Sequence, residues 1–113
     1  MDIVKNLLKD FSDEETVTKQ CAIVWELGNF GYKAEKATGN LSKILAKNPY
    51  WRTRAWAAWS LGRIGGKKAH KALEKAIDNH YESDEEEVVY NSAFWALHCW
   101  KLLKSAHQLA NQL

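Results

Sequence analysis

Proline is almost missing from this chain: Pro49 is the only one in 113 residues. Glycine is confined to residues 28–66, and no alternation of Val, Ile and Thr persists beyond a few positions. Little therefore breaks a helix and nothing sustains a strand, so the composition predicts an all-α protein. Cysteine is scarce as well. Cys21 and Cys99 have no C-x-x-C spacing, which excludes a zinc knuckle or a redox pair and leaves two buried or half-buried thiols. An uncharged apolar run of about 18 residues is lacking, and the opening MDIVKNLLKDF has neither the basic nor the apolar region of a signal peptide. These absences predict a cytoplasmic protein that engages no membrane. With 46% hydrophobic residues, residues 1–113 are long enough to build one core as a single domain without disulfides or metals.

What the chain does have is tryptophan in a periodic setting. WELGNFG (25–31), WSLGRIG (59–65) and WALHCWK (95–101) superpose with spacings of 34 and 36 residues, a helical-repeat period. Between them runs a second set, Val4/Leu7/Leu8, Leu41/Ile44/Leu45 and Leu73/Ala76/Ile77, each an i, i+3, i+4 apolar stripe. Two kinds of helix thus alternate three times, a leucine helix followed by a tryptophan helix, with residues 102–113 as an ending. Ser12 with Glu15 and Ser83 with Glu86 form S-x-x-E capping boxes, and Asn48-Pro49 offers an N-cap followed by a first-turn proline. Gly31 and Gly65 stand where a left-handed residue would close the first two tryptophan helices.

Arg54, Ala57, Ala58, Leu61, Gly62, Ile64 and Gly65, followed by Ala69, Leu73 and Asp78, resemble the HEAT-like repeat of the phycobilisome-lyase type, roughly V-R-x-x-A-A-x-A-L-G-x-I-G then A-x-x-x-L. The first copy keeps Leu27, Gly28 and Gly31 but has Ile23 for an alanine. The third keeps Val89, Ala93, Ala96 and Leu97 but carries His98 and Trp100 for the glycine and isoleucine. The resemblance implies a right-handed α-solenoid of about three helix pairs. Relatives of this kind include bilin lyase subunits, phycobilisome-degradation factors, an iron-dependent hydroxylase and plain binding scaffolds. The hydroxylase chemistry needs histidine followed by glutamate, whereas His70, His80, His98 and His107 are followed by Lys, Tyr, Cys and Gln. With no nucleophile pair or metal-ligand spacing either, the chain is expected to be non-enzymatic and to hold no cofactor. A bilin-related accessory role is implied by the resemblance alone.

Helical geometry sorts the middle copy. Ala57, Ala58, Leu61 and Ile64, with Gly62, make the face that lets neighbouring helices approach. Residues 52, 55, 56, 59 and 63 fall on the other side, and in the resembling family such positions line a concave partner-binding surface. That places Trp56, Trp59 and Arg63 on the surface, with Trp25 and Trp95 at the matching positions of the other copies. Together these five residues make the candidate site for a protein or peptide partner. The same spacing also suits indoles packed between helices, so their exposure is the deciding observation. Trp51 and Trp100 are assigned to packing.

The net charge of +2 conceals segregation. Residues 33–75 hold eleven Lys and Arg against Glu35 and Glu74, while both flanking segments are acidic. Lys33, Lys36, Lys67 and Lys68 are placed at the starts of leucine helices, where the helix dipole disfavours cations and favours anions. Arg52, Lys67 and Lys68, with Arg63 nearby, are the alternative site, for an anionic ligand or nucleic acid. The acidic run up to Glu87 reads as a solvated turn and helix start. Nothing stops the third tryptophan helix before Ser105, so it is expected to run past Lys101, with Leu102, Ala106, Leu109 and Leu113 on one stripe. That stripe serves either as a cap on a monomer, the favoured arrangement, or as a dimer contact.

Overall fold

The computed structural model describes residues 2–112, and the side chains of residues 2–98. Six α-helices follow one another: α1 (Ile3–Asp13), α2 (Val17–Asn29), α3 (Thr38–Lys47), α4 (Trp51–Ile64), α5 (Lys67–Asp78) and α6 (Asp84–Gln112). A 3-10 stretch, Gly31–Ala37, leads into α3, and no strand occurs among the described residues. The helices form three successive pairs, the all-α solenoid that the two interleaved patterns predict. None of the described helices is long and apolar enough to cross a membrane.

Helices α2, α4 and α6 lie side by side as one layer, and α3 and α5 pack against them as the second. The core between the layers takes Val24, Leu27, Leu41, Ala57, Ala58, Leu61, Leu73 and Ala93, all essentially inaccessible. Each comes from the stripe its helical period assigns. Within the tryptophan-helix layer the spacing is set by small residues. A Cβ on Gly28 would lie 2.6 Å from Ser60 Oγ and 2.9 Å from Ser60 Cα, and one on Gly62 would lie 2.7 Å from Ala96 Cβ. Backbone therefore meets backbone, and Ser60 Oγ donates to the Val24 carbonyl at 2.7 Å across the same seam. A hydroxyl this deeply buried requires such a partner.

The helix ends fulfil part of the sequence reading. Gly31 and Gly65 have φ of +57° and +75°, the left-handed region, and Gly65 N–H closes α4 on the Leu61 carbonyl at 2.9 Å. Ser83 Oγ accepts from Glu86 N–H at 3.2 Å, but the Glu86 carboxylate turns to Arg54 instead of completing the box. The first predicted box does not form. Phe11 continues the apolar stripe of Leu7 and Leu8 against the core, so α1 runs on through Asp13. Ser12 Oγ then donates to the Lys9 carbonyl at 2.7 Å, and Thr16 becomes the N-cap of α2. At the second pair, α4 begins at Trp51 with Tyr50 as N-cap, so Pro49 lies outside the helix. Asn48 Oδ1 accepts from Tyr50 N–H at 2.9 Å and shapes the turn. Helix α6 continues without a break at Ser105. The stripe Leu102, Ala106, Leu109 and Leu113, together with Trp100 and Cys99, lies outside the described side chains. Cys21 is a free thiol, half-buried against Thr53.

Lys36 is not the open cation that the sequence suggests, because its ammonium pairs with Asp2. Asp2 is also the N-cap of α1, accepting from Lys5 N–H at 3.1 Å. The Lys36 hydrogen bond first, and the Lys5 N–H second, hold the Asp2 carboxyl below its usual pKa. A depressed carboxylate contributes stability at neutral pH that is lost as pH falls through its folded pKa. Asp2→Asn keeps a capping side chain and removes the charge. It is expected to melt below the wild type at pH 7, with the difference closing in acid; a gap independent of pH would show that the ion pair contributes nothing.

Candidate functional site

The close seams at Gly28/Ser60 and Gly62/Ala96 leave no room for large side chains between α2, α4 and α6, so Trp25, Trp56 and Trp95 are displaced outward. Trp25, Trp56 and Trp95 are 46%, 40% and 64% exposed. On α4 the outward stripe is Arg52, Trp56, Trp59 and Arg63, spaced i, i+4, i+7, i+11, which is one helix face. Ala55, assigned to that side by sequence, is half-buried and packs against the core.

Trp59 is the most enclosed of the row. Trp56 meets it edge-on at 5.7 Å between centroids, and the Arg63 guanidinium sits over its ring at 4.7 Å. The cation–π contact fixes Arg63 while leaving its N–H edge to receive a carboxylate. On α6, Phe94 supports Trp95 edge-on at 5.6 Å and meets the His98 ring at 4.4 Å. Among the described residues the three equivalent indoles do not stack on one another. Trp59 pairs with Trp56, and Trp95 with Phe94 and His98. The row is thus three aromatic stations, one per helix, spanning about 20 Å at interaxial distances of 8–10 Å. Such an array gives large, stiff contact area with little side-chain entropy to lose. Trp51 is half-buried against the core and carries Arg52 over its ring at 5.2 Å.

The anion-site residues fall into two groups, Arg52 on α4 and the adjacent Lys67 and Lys68 at the start of α5. Arg52 stands in the first turn of α4 and Lys67 follows its last turn, about 18 Å away by helix rise. Lys68 faces a cleft on the side of α5 turned towards α3. Two buried polar residues that the sequence reading did not single out, Gln20 and Thr53, join α2 to α4 together with Asn48. Gln20 Nε2 donates to the Glu14 carbonyl at 2.8 Å, and its Oε1 accepts from Thr53 Oγ1 at 3.3 Å and Asn48 Nδ2 at 3.4 Å. Their near-repeat spacing of 33 residues was the only trace in the sequence. Among the described residues no cluster of His, Cys, Asp or Glu could hold a metal ion.

Paired helices stacked in two layers, with a glycine-closed turn after α4 and a row of side chains presented on one layer, define an α-solenoid. A family model described as HEAT repeats matches residues 3–98, and the chain belongs to the HEAT-repeat family. Comparisons with curated proteins and with solved structures return no match.

Proposed function

We propose that this protein is a non-catalytic adaptor, whose row Trp25, Trp56, Trp59, Arg63 and Trp95 docks a protein or peptide segment. The observation that carries the reading is the exposure of three large indoles, Trp25, Trp56 and Trp95, on the one layer formed by α2, α4 and α6. Apolar surface gathered in this way is characteristic of interaction sites. HEAT repeats commonly serve as protein-interaction scaffolds, which supports the same reading. On the same reading the protein is a monomer acting in the cytoplasm, with a dimer through the C-terminal helix as the alternative. The finer phycobilisome-lyase likeness rests on the middle repeat, and Arg54 of that motif is engaged with Glu86, so no bilin-specific contact supports an accessory role there. Arg52 stands about 18 Å by helix rise from Lys67 and Lys68, so an anionic ligand that reached all three would have to be an extended one.

The test compares wild type with the Trp25→Ala/Trp95→Ala double variant as baits in the source cell extract. About half of each side chain is solvated, so the melting temperature should move little, while retention of the captured protein falls about tenfold or more, as for interface anchors. Unchanged capture at unchanged stability would remove the tryptophan row from the function.

A further inference from the structure

Away from the tryptophan row, α3, α5 and the first turns of α4 and α6 enclose a cleft of about 580 Å³. Lys43 and Lys47 line it from α3, and Lys68, Lys71 and Lys75 from α5. The α5 lysines are spaced i, i+3, i+7 and so share one face. Leu45, Ala72, Ala76 and Val89 supply apolar lining between the two rows, with Tyr81, just before α6, and Tyr90, in its second turn. Arg54 and Glu86 also border the cleft, but they neutralise each other. Among the described residues none of the five lysines has an ion-pair partner.

We propose that this cleft binds a nucleoside polyphosphate, with the lysines on the phosphates and the tyrosines against the base. Five unpaired ammonium groups in one concavity repel one another, and an anion of several charges relieves this. Lysines on flexible stems act as point charges that follow a phosphate chain, where planar recognition would call for arginine. Tyr81 and Tyr90 lie 5.1 Å apart at 52°, and Tyr81 is 44% exposed, which leaves an aromatic face on which a base can stack. The volume is that of a small-molecule site, within the usual range of about 300–1,000 Å³. Asp84, Glu85 and Glu87 flank Glu86 in the acidic first turn of α6 and repel a continuous polyanion leaving past the tyrosines. A phosphate chain that ends inside the cleft fits this charge distribution better than a nucleic-acid strand does. No residue of the cleft belongs to the tryptophan row, so the two sites stand or fall separately.

Calorimetric titration of the full chain at low salt with ATP, inorganic triphosphate, adenosine, a short oligothymidylate and poly-glutamate decides the matter. ATP should bind, triphosphate more weakly, and adenosine not measurably. Lys71→Glu/Lys75→Glu should weaken ATP by about tenfold or more, because charge-assisted phosphate contacts are lost and reversed. Lys67→Glu, exposed on the same helix but outside the cleft lining, should weaken ATP far less than the cleft pair does. Tyr81→Ala should reduce ATP to the affinity of triphosphate. All four side chains are solvated enough for the variants to keep wild-type circular dichroism. The proposal is overturned if ATP does not bind the wild type, if Lys67→Glu matters as much as the cleft pair, or if oligothymidylate or poly-glutamate binds more tightly than ATP.

Discussion

Gly62→Ala is expected to destabilise the protein by about 1–3 kcal/mol, even though alanine raises helix propensity by up to about 1 kcal/mol over glycine. The two effects have opposite signs, and the contact geometry decides between them. A Cβ at residue 62 would lie 2.7 Å from Ala96 Cβ and 3.0 Å from both Ala96 Cα and the Ala96 carbonyl oxygen. These are backbone or first-carbon atoms that cannot rotate aside. Helix α6 must therefore move away from α4, which loosens Ala93 and Leu97 in the same seam. Gly39→Ala gives the internal control, because residue 39 is exposed in α3 and nothing lies within 4 Å of its Cβ direction. That substitution should stabilise by up to about 1 kcal/mol. At roughly 4–8 °C per kcal/mol, the two variants should melt on opposite sides of the wild type. Parallel shifts would mean that propensity governs both sites and that the α4–α6 contact is looser than the geometry states.

Leu61→Ala should have the largest effect on stability, about 2–5 kcal/mol, because it removes a fully buried side chain from the helix that packs against α2, α3, α5 and α6. A cavity at this crossing cannot be closed by one neighbour, since each is held by its own seam. Against a total of about 5–15 kcal/mol for a domain, the loss is large enough to bring the protein near its threshold. The half-buried Leu8 of α1, at the edge of the stack, should lose much less when truncated to alanine. Urea denaturation measures both. The linear stacking of repeats adds a second readout: loss of the central helix packing uncouples the ends, so the Leu61→Ala transition should broaden and its slope fall. If Leu8→Ala proves as damaging as Leu61→Ala, the core is not centred on α4.

Part of the tryptophan row was legible without coordinates and part was not. Helix phase puts Trp25, Trp56 and Trp95 opposite the face claimed by the alanines, leucines and glycine of each copy, but the same spacing suits indoles packed between helices, and only the structure shows them exposed. The partial enclosure of Trp59 does not follow from phase. It arises from Trp56 and Arg63, neighbours on the same helix whose rotamers close over it. Phase likewise cannot say that Arg54 meets Glu86, 32 residues away, or that Lys36 meets Asp2.

The sequence by itself determined the helical class, the three-fold alternation of leucine and tryptophan helices, the turn at Gly65 and most of the core. Each of these is written in spacings of three, four or about thirty-five residues, and a helix of fixed pitch converts such spacings directly into faces and repeats. Only the tertiary structure decided the true starts of α2 and α4, where side-chain packing overrode the capping signals. It alone also placed the Gln20–Thr53–Asn48 junction and gathered five lysines from α3 and α5 into one cleft. Those lysines belong to two helices of different copies, and their common direction depends on how the copies stack. Stacking is fixed by atom-to-atom contact at Gly28 and Gly62, a property of pairs of surfaces that no single stretch of sequence contains.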